Sequence, residues 1–202
     1  VEKPDLVTAE RYLADGNYGS RTFADANSGT AVITIKKATD TDRGTDSGWS
    51  GSYGDGQAVL SGWHIYTDYY VFDGQRRNTN WAKGDLSQYG IRISAPRGPT
   101  IRLDNGSGTG GDNLTFRYID AEAGGRDTGY GDHVIYGLTG NSNVTFEYCA
   151  LHDSSGVIFQ MREYWRNLKV DHCYMARNSS TPTTHGELLS MTDSDTVTWS
   201  NN

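Results

Sequence analysis

The sequence predicts an all-β protein built as a solenoid, in which successive coils of the chain stack on one another. Three observations lead to this prediction. Short β-rich runs such as AVITI, YYVF and VIFQM lie between turn residues, no helical periodicity continues for three turns, and one strand pattern recurs along the chain. A chain of 202 residues is long enough for one sizeable hydrophobic core. We therefore expect a single repetitive domain.

The recurring pattern starts at a polar residue and continues as a short strand. It reads NLTFRYI from Asn113, NVTFEYC from Asn143, NLKVDHC from Asn167 and TVTWSNN from Thr196. The starts lie 30, 24 and 29 residues apart, a variable period that is typical of a solenoid, where neighbouring coils bury the inner face that one coil alone cannot bury. An Asn at the start suits a left-handed or tight-turn backbone and can hydrogen-bond along the stack.

A second strand lies between these repeats. HVIYGL, GVIFQM and GELLSM align with one another and end shortly before the next repeat begins, so each coil supplies at least two strands. Upstream, ITIKKA, YYVFDGQ, YGIRIS and PTIRLDN fit the same scheme less regularly. We assign residues 58–202 to the coils, and residues 1–57 to an N-terminal strand or cap with a long polar loop, all within one domain.

Two cysteines share one predicted inward column. Cys149 and Cys173 align with Ile119, so stacking brings them within the Cα separation that a disulfide needs. Parallel neighbours often have torsions unsuited to a disulfide, and a buried Cys also serves as a small apolar residue. Both interpretations stay open, and the sequence favours two buried thiols.

The last third of the chain carries a resemblance to a known family. NLKVDHCYMARN, continued by HGELLSMTDSDTVTWSNN, is similar to the stretch of pectate lyases with an (I/V)-D-H core, a D-G-L-x-D segment and a terminal S-x-x-V-T-x-S-x-N. The fold-level likeness covers residues 58–202 and the motif about 167–202. The resemblance implies a right-handed parallel β-helix of the pectate-lyase-like superfamily that recognises a polysaccharide, with lyase activity as its chemistry. The family's catalytic Arg motif and the Asp cluster of polygalacturonases are both absent, so enzymatic activity stays open.

Charge and hydropathy exclude several other partners. The formal net charge of −7 repels nucleic acid and anionic membranes, and no apolar run approaches the 18 residues that span a bilayer. The opening VEKPDLV has no signal-peptide pattern, as expected of a mature secreted chain or an excised one. An acidic polysaccharide could still bind through a local arginine cluster or a bridging cation. We expect an extracellular or cell-surface protein.

An outward column of charged residues is the predicted metal site. Arg117, Glu147 and Asp171 align in successive coils, which places the two carboxylates about 5 Å apart. Such a pair can recruit a cation, and the resemblance to pectate lyases implies a calcium ion, Ca2+, that bridges Glu147 and Asp171 to uronate carboxylates. The alternative is that Arg117 and solvent neutralise the pair.

The next column is the predicted substrate-binding surface. Tyr118, Tyr148 and His172 align as an aromatic ladder, whose rings could stack against the apolar faces of sugars. The alternative is that Tyr and His occur there because they suit half-buried strands.

Three residues are predicted to be catalytic. Glu187 places a carboxylate in a column otherwise filled by Val134 and Val157, and His185 lies two residues before it. A carboxylate in an otherwise apolar column is a departure that often marks a functional site, although Glu187 could instead begin a polar cap. Arg162, within QMREYW, is a candidate strong base for β-elimination. The other candidate arginines are Arg92, Arg102, Arg166 and Arg177.

A further group of polar residues follows the repeated strand. His152 and Asp153 lie there, with Arg177 one coil above Asp153. The group could be a base with an orienting carboxylate. The interpretation we favour is a structural Asp153–Arg177 pair beside a solvated His152.

Two functions are compatible with the sequence. The leading hypothesis is recognition of a polysaccharide along the elongated face. The alternative is a non-catalytic structural or adhesive protein, a filament subunit or surface stalk that self-associates end to end, because the sequence stops inside a coil and would leave an open strand ladder.

Overall fold

The computed structural model describes most of the chain, and strands predominate in it. The helical segments are short: α1 (Asp40–Arg43) and the 3-10 turns Gly51–Tyr53 and Trp81–Lys83. In the part of the chain that the structure describes, no helix has the length and apolar composition needed to cross a membrane. The described segments are residues 9–26, 29–43, 47–104, 110–124, 132–179 and 186–202.

The described strands form seven coils, each a passage through up to three sheets called A, B and C. The strands of coils 1 to 4 are β1 (Ala9–Leu13), β2 (Gly16–Asn17) and β3 (Ser20–Phe23); β4 (Ile33–Lys37), β5 (Ala58–Leu60) and β6 (Gly62–Ile65); β7 (Tyr70–Asp73), β8 (Ile91–Ala95) and β9 (Ile101–Arg102); β10 (Leu114–Arg117), β11 (Ile119–Ala123) and β12 (Ile135–Gly137). Those of coils 5 to 7 are β13 (Ser142–Glu147), β14 (Ala150–His152) and β15 (Phe159–Met161); β16 (Trp165–Asp171), β17 (Tyr174–Ala176) and β18 (Leu189–Met191); β19 (Ser194–Ser200).

Neighbouring strands in every sheet are one coil apart. Sheet A has the order β1-β4-β7-β10-β13-β16-β19, sheet B runs from β2 to β17 and sheet C from β3 to β18, each in steps of three. The pairings between these strands are parallel throughout. This confirms the predicted all-β stack, and the arrangement is consistent with a parallel β-helix. Strands from residues 9–57 also belong to the three sheets, so the stack includes chain before residue 58.

The core lies between the sheets and consists of inward-pointing side chains that stack from coil to coil, among them Ile119, Cys149 and Cys173 of the predicted inward column. Side chains alternate in direction along a strand, and the register pairs Phe72 with Phe116 and Phe116 with Phe146. These fully buried rings stack with centroids 5.1 and 4.6 Å apart. Their offset stacking adds to the hydrophobic stabilisation that comes from burying them.

The predicted asparagine ladder is present at the entry to sheet A. Asn113, Asn143 and Asn167 have left-handed backbones, with φ of 55°, 57° and 53°. The Asn143 amide donates to Asn113 Oδ1, and the Asn167 amide donates to Asn143 Oδ1, each at 2.9 Å. Thr196 shares the conformation with φ of 55°, so the corner dictates the backbone even for a β-branched residue.

The two cysteines are free thiols, which confirms the favoured interpretation. Cys149 and Cys173 are fully buried in adjacent coils, and each contacts a backbone carbonyl of the coil below. Burial raises the pKa of the Cys149 thiol, and the neighbouring Cys173 raises it further. Both therefore act as small apolar core residues rather than as nucleophiles.

The asparagine ladder predicts a graded loss of stability. Asn143→Ala removes two side-chain hydrogen bonds and leaves a residue with a Cβ in the left-handed region, so the free energy of unfolding should fall by about 2 kcal/mol. Asn143→Gly loses the same bonds, but glycine adopts the left-handed backbone without strain, so the free energy of unfolding should fall by only about 1 kcal/mol. Urea denaturation measures both, with Thr145→Ala on the outward face of the same strand as control. A loss as large for Thr145→Ala as for Asn143→Ala would contradict the ladder's contribution.

Candidate functional site

The outward face of sheet B carries a connected group of charged side chains. In β8, β11 and β14 the register pairs Arg92 with Asp120, and it pairs Ser94 with Glu122 and Glu122 with His152. Because alternate residues of these strands point into the core, the charged residues project together on the opposite face. Neighbouring coils thus bring together residues that lie about 30 positions apart in the chain.

His152 is the centre of this group. Its side chain is 2% exposed, its Nε2 lies 2.6 Å from Asp120 Oδ1, and its Nδ1 lies 2.6 Å from Asp153 Oδ2. Asp153 follows β14 directly and has a left-handed backbone with φ of 53°. The imidazole therefore bridges two carboxylates of adjacent coils and fixes their positions.

Arg177 completes the bridge from the next coil. Its Nε and Nη2 donate to the two oxygens of Asp153 at 2.8 and 2.6 Å, a bidentate ion pair, and Nη2 lies 3.0 Å from His152 Nδ1. Burial alone would raise the pKa of Asp153, but the hydrogen bonds from Arg177 and His152 outweigh it and hold this pKa below its ordinary value. The favoured Asp153–Arg177 pair is confirmed. The expectation of a solvated His152 is wrong, because Asp120, Asp153 and Arg177 enclose the ring.

A second arginine pairs with the other carboxylate on this face. Arg92 Nη2 donates to Glu122 Oε1 at 2.8 Å, and Ser94 Oγ donates to the same oxygen at 2.5 Å. Arg92 Nε also lies 3.7 Å from Asp120 Oδ2. The side chains of Arg92 and Arg177 are 41% and 35% exposed, so both are partly open to solvent.

These side chains line an open groove, which we call the sheet B groove. It consists of two adjoining clefts of about 380 and 390 Å³ that share Glu122 and Asp153. The residues of the first are Gln57, Leu86, Ser87, Arg92, Asp120, Glu122, His152, Asp153 and Arg177, and those of the second are Ser94, Ala95, Pro96, Glu122, Gly124 and Asp153.

Three groove residues could hold a metal ion. Ligand atoms of Glu122, His152 and Asp153 lie within 4.8 Å of one another, and these residue types bind divalent metals. However, Asp153 is paired with Arg177, and both nitrogens of His152 already contact carboxylates. A cation at this position would have to displace Arg177.

The predicted calcium pair lies on another face. Glu147 and Asp171 are cross-strand partners on sheet A, as the sequence predicts, and Glu147 forms an ion pair with Arg117 at 2.5 Å. The Asn201 amide and the Ser200 hydroxyl donate to Asp171 at 3.0 and 2.8 Å, and they hold the pKa of Asp171 well below its ordinary value. Calcium binding at this pair stays a prediction.

The predicted aromatic ladder is present at the corner between sheets A and B. Tyr118 and Tyr148 stack with centroids 5.1 Å apart, and Tyr148 and His172 lie 5.3 Å apart. The Arg77 guanidinium lies over the Tyr148 ring, and Trp81 lies 6.4 Å from the His172 ring. The ring faces are thus largely engaged within the protein, and their contact with a sugar stays a prediction.

Of the three predicted catalytic residues, the structure describes Arg162 and Glu187, and these two lie apart. The register of β15 and β18 places Glu187 beside Val157, five positions before Arg162 along sheet C, a separation of roughly 16 Å. Both side chains are exposed. His185 lies outside the described residues.

Sequence reasoning missed Asp120 and Glu122. They alternate with the apolar residues of the strand IDAEA, a pattern that is also typical of an ordinary half-exposed strand. Aligning IRISA, IDAEA and ALH as one set of columns would have placed both carboxylates beside Arg92 and His152.

Comparison of the chain with models of protein families, with curated proteins and with solved structures found no match. The resemblance to pectate lyases therefore depends on the quoted motif and on the arrangement of strands alone.

The Asp153 pair predicts a pH-dependent contribution to stability. The pKa of Asp153 is lower in the folded chain than its ordinary value. Its ion pair therefore stabilises the fold fully at pH values above the ordinary pKa, and this stabilisation is lost as the pH falls through the lower pKa of the folded chain. The difference in unfolding free energy between wild type and Asp153→Asn should be largest above about pH 5 and should shrink toward about pH 2. Urea titrations across this range measure it. A difference that is independent of pH would refute the ion pair.

Proposed function

We propose that the chain is an extracellular right-handed parallel β-helix domain of the pectate-lyase-like kind, and that it recognises a polysaccharide in the sheet B groove. The right hand is expected because connections between parallel strands of one sheet are almost always right-handed. The stacked parallel strands and the motif in the last third of the chain support the class.

The observation that carries the proposal is the ordered charge network in an open groove. From Arg92 in coil 3 to Arg177 in coil 6 it crosses three inter-strand steps, ~14 Å, which is longer than one sugar ring. Its Arg, Asp, Glu and His side chains end in planar groups whose hydrogen bonds have defined directions, which suits recognition of the hydroxyls on a sugar ring. Because these groups already hold one another in place, binding would immobilise few additional side chains.

The two partly exposed arginines of the groove favour an acidic polysaccharide. Arg92 and Arg177 each form ion pairs with a groove carboxylate, and the side chain of each is partly exposed. A uronate carboxylate matches the fork of donors on such a group. Local recognition of this kind is compatible with the net charge of −7, because salt screens distant charges more than contacting ones.

The groove supports recognition better than elimination. β-Elimination needs a base to remove the proton beside the carboxylate. Pairing with Asp153 raises the pKa of Arg177, which works against its use as a base, and both nitrogens of His152 contact carboxylates. We therefore propose binding as the function, and lyase activity is the reaction to assay alongside it.

The alternative, a structural or adhesive protein that associates end to end, stays a prediction.

Binding to a panel of uronans and neutral glycans tests the proposal, by calorimetry with and without calcium. We expect an acidic glycan to bind and Arg92→Ala to weaken binding about tenfold, because a charge-assisted hydrogen bond is lost. Arg21→Ala is the matched control, since it removes an exposed arginine of β3 in sheet C and should leave the affinity unchanged.

Two results would overturn the proposal. The first is that no glycan binds, and concentration-dependent sedimentation of the same preparation would then favour end-to-end association. The second is that Arg21→Ala is as damaging as Arg92→Ala, which would show that the loss is not specific to the sheet B groove. Absorbance of unsaturated products in the same panel reports lyase activity.

A further inference from the structure

Residues 74–90, which we call the strap, leave coil 3 after β7 and return to it before β8. Gly74 and Gly90 form its neck. A Cβ on Gly74 would lie 2.0 Å from the carbonyl oxygen of Tyr118, and one on Gly90 would lie 1.9 Å from that of Gly74. Since only glycine fits at such close backbone approaches, the neck fixes both ends of the strap.

The strap does not stay on its own coil. Arg77 Nη1 donates to the carbonyl oxygen of His172 at 2.6 Å, across 95 residues of sequence. Gly84 has φ of 81°, and a Cβ there would lie 2.9 Å from the Tyr174 hydroxyl. Both contacts are to coil 6, so the strap crosses three inter-strand steps, ~14 Å, along the stack.

Arg77 fastens the strap to the aromatic ladder. Its guanidinium carbon lies 3.9 Å from the centre of the Trp81 ring, which belongs to the strap, and 4.7 Å from that of Tyr148, which belongs to coil 5. A guanidinium between two aromatic faces is held by cation–π attraction and by stacking. The strap is therefore held against the ladder of Tyr118, Tyr148 and His172.

The far side of the strap is a wall of the sheet B groove. Leu86 and Ser87 line the cleft that also contains Arg92 and Arg177. Asn78, next to the fastening residue, donates to Ser87 Oγ at 3.0 Å. The position of the wall therefore depends on the attachment of the strap, because Ser87 is bonded to Asn78 and Asn78 directly follows Arg77.

We propose that Arg77 is a positioning residue of the polysaccharide site: it holds the strap against coils 5 and 6, so that Leu86 and Ser87 form the groove wall. This inference rests on the proposed function. Without the attachment the wall moves away from the sheet, and the groove loses contacts to the glycan chain although its charge network is intact.

Hydrogen exchange tests the attachment without any ligand. Arg77→Ala should speed the exchange of amides in residues 79–88 and leave the amides of β10, β13 and β16 unchanged. Arg77→Lys, which keeps the charge but not the planar group, should give an intermediate rate. Lys83→Ala is the matched control, because it removes an exposed cation from the same strap. Equal exchange in Arg77→Ala and Lys83→Ala would overturn the attachment.

A double-mutant cycle tests the role in binding, with the acidic glycan that wild type binds best. Arg77→Ala should weaken affinity about fivefold to tenfold, and Ser87→Ala about threefold. In the Arg77→Ala background, Ser87→Ala should cause no further loss, because the wall is already displaced. Additive losses, or an unchanged affinity in Arg77→Ala, would overturn the inference.

The two proposals fail in different ways. If wild type binds no glycan, the proposed function fails and the positioning role falls with it, while the exchange data still show whether Arg77 fastens the strap. If wild type binds and Arg77→Ala binds equally well, the positioning role alone is wrong. The thermal midpoint of each variant shows whether a loss of affinity reflects unfolding of the stack.

Discussion

A coil of this chain cannot bury its own inner face, so each coil depends on the parallel hydrogen bonds and side-chain contacts of its neighbours. This dependence requires every coil to turn at the same place. The corners are consequently marked by left-handed backbones at aligned positions, as at Asn143 and Asn167 before sheet A and at Tyr148 and His172 after it. A left-handed backbone costs free energy at a residue other than glycine, and it persists here because the coils on both sides fix the path of the chain.

The same register organises the outward surface. A side chain in one coil meets its counterpart in the next across one inter-strand step, so polar residues at matching positions become networks. His152 illustrates the effect, because Asp120 comes from the coil below and Arg177 from the coil above, and both join His152 and Asp153 in one hydrogen-bonded network. The buried His152 ring is tolerated there because both of its nitrogens have partners in the network.

Sequence reasoning succeeded where the information was local or repeated. The inward columns, the asparagine ladder and the free thiols follow from comparing adjacent repeats. It failed where the outcome depends on three-dimensional proximity outside the repeat. The burial of His152 depends on which residues of neighbouring coils face it, the contact of Arg77 with His172 joins positions 95 residues apart, and the separation of Arg162 from Glu187 depends on their places along sheet C.

The in-register stack is the central claim, and distances between spin labels measure it directly. The outward column of sheet A runs through Thr34, Thr145, Lys169 and Thr198. Double electron–electron resonance between a label at Thr34 and one at each of the others should give distances that grow by ~4.8 Å per coil, near ~14, ~19 and ~24 Å, plus a constant label contribution. Distances that do not increase in this order would contradict the stack.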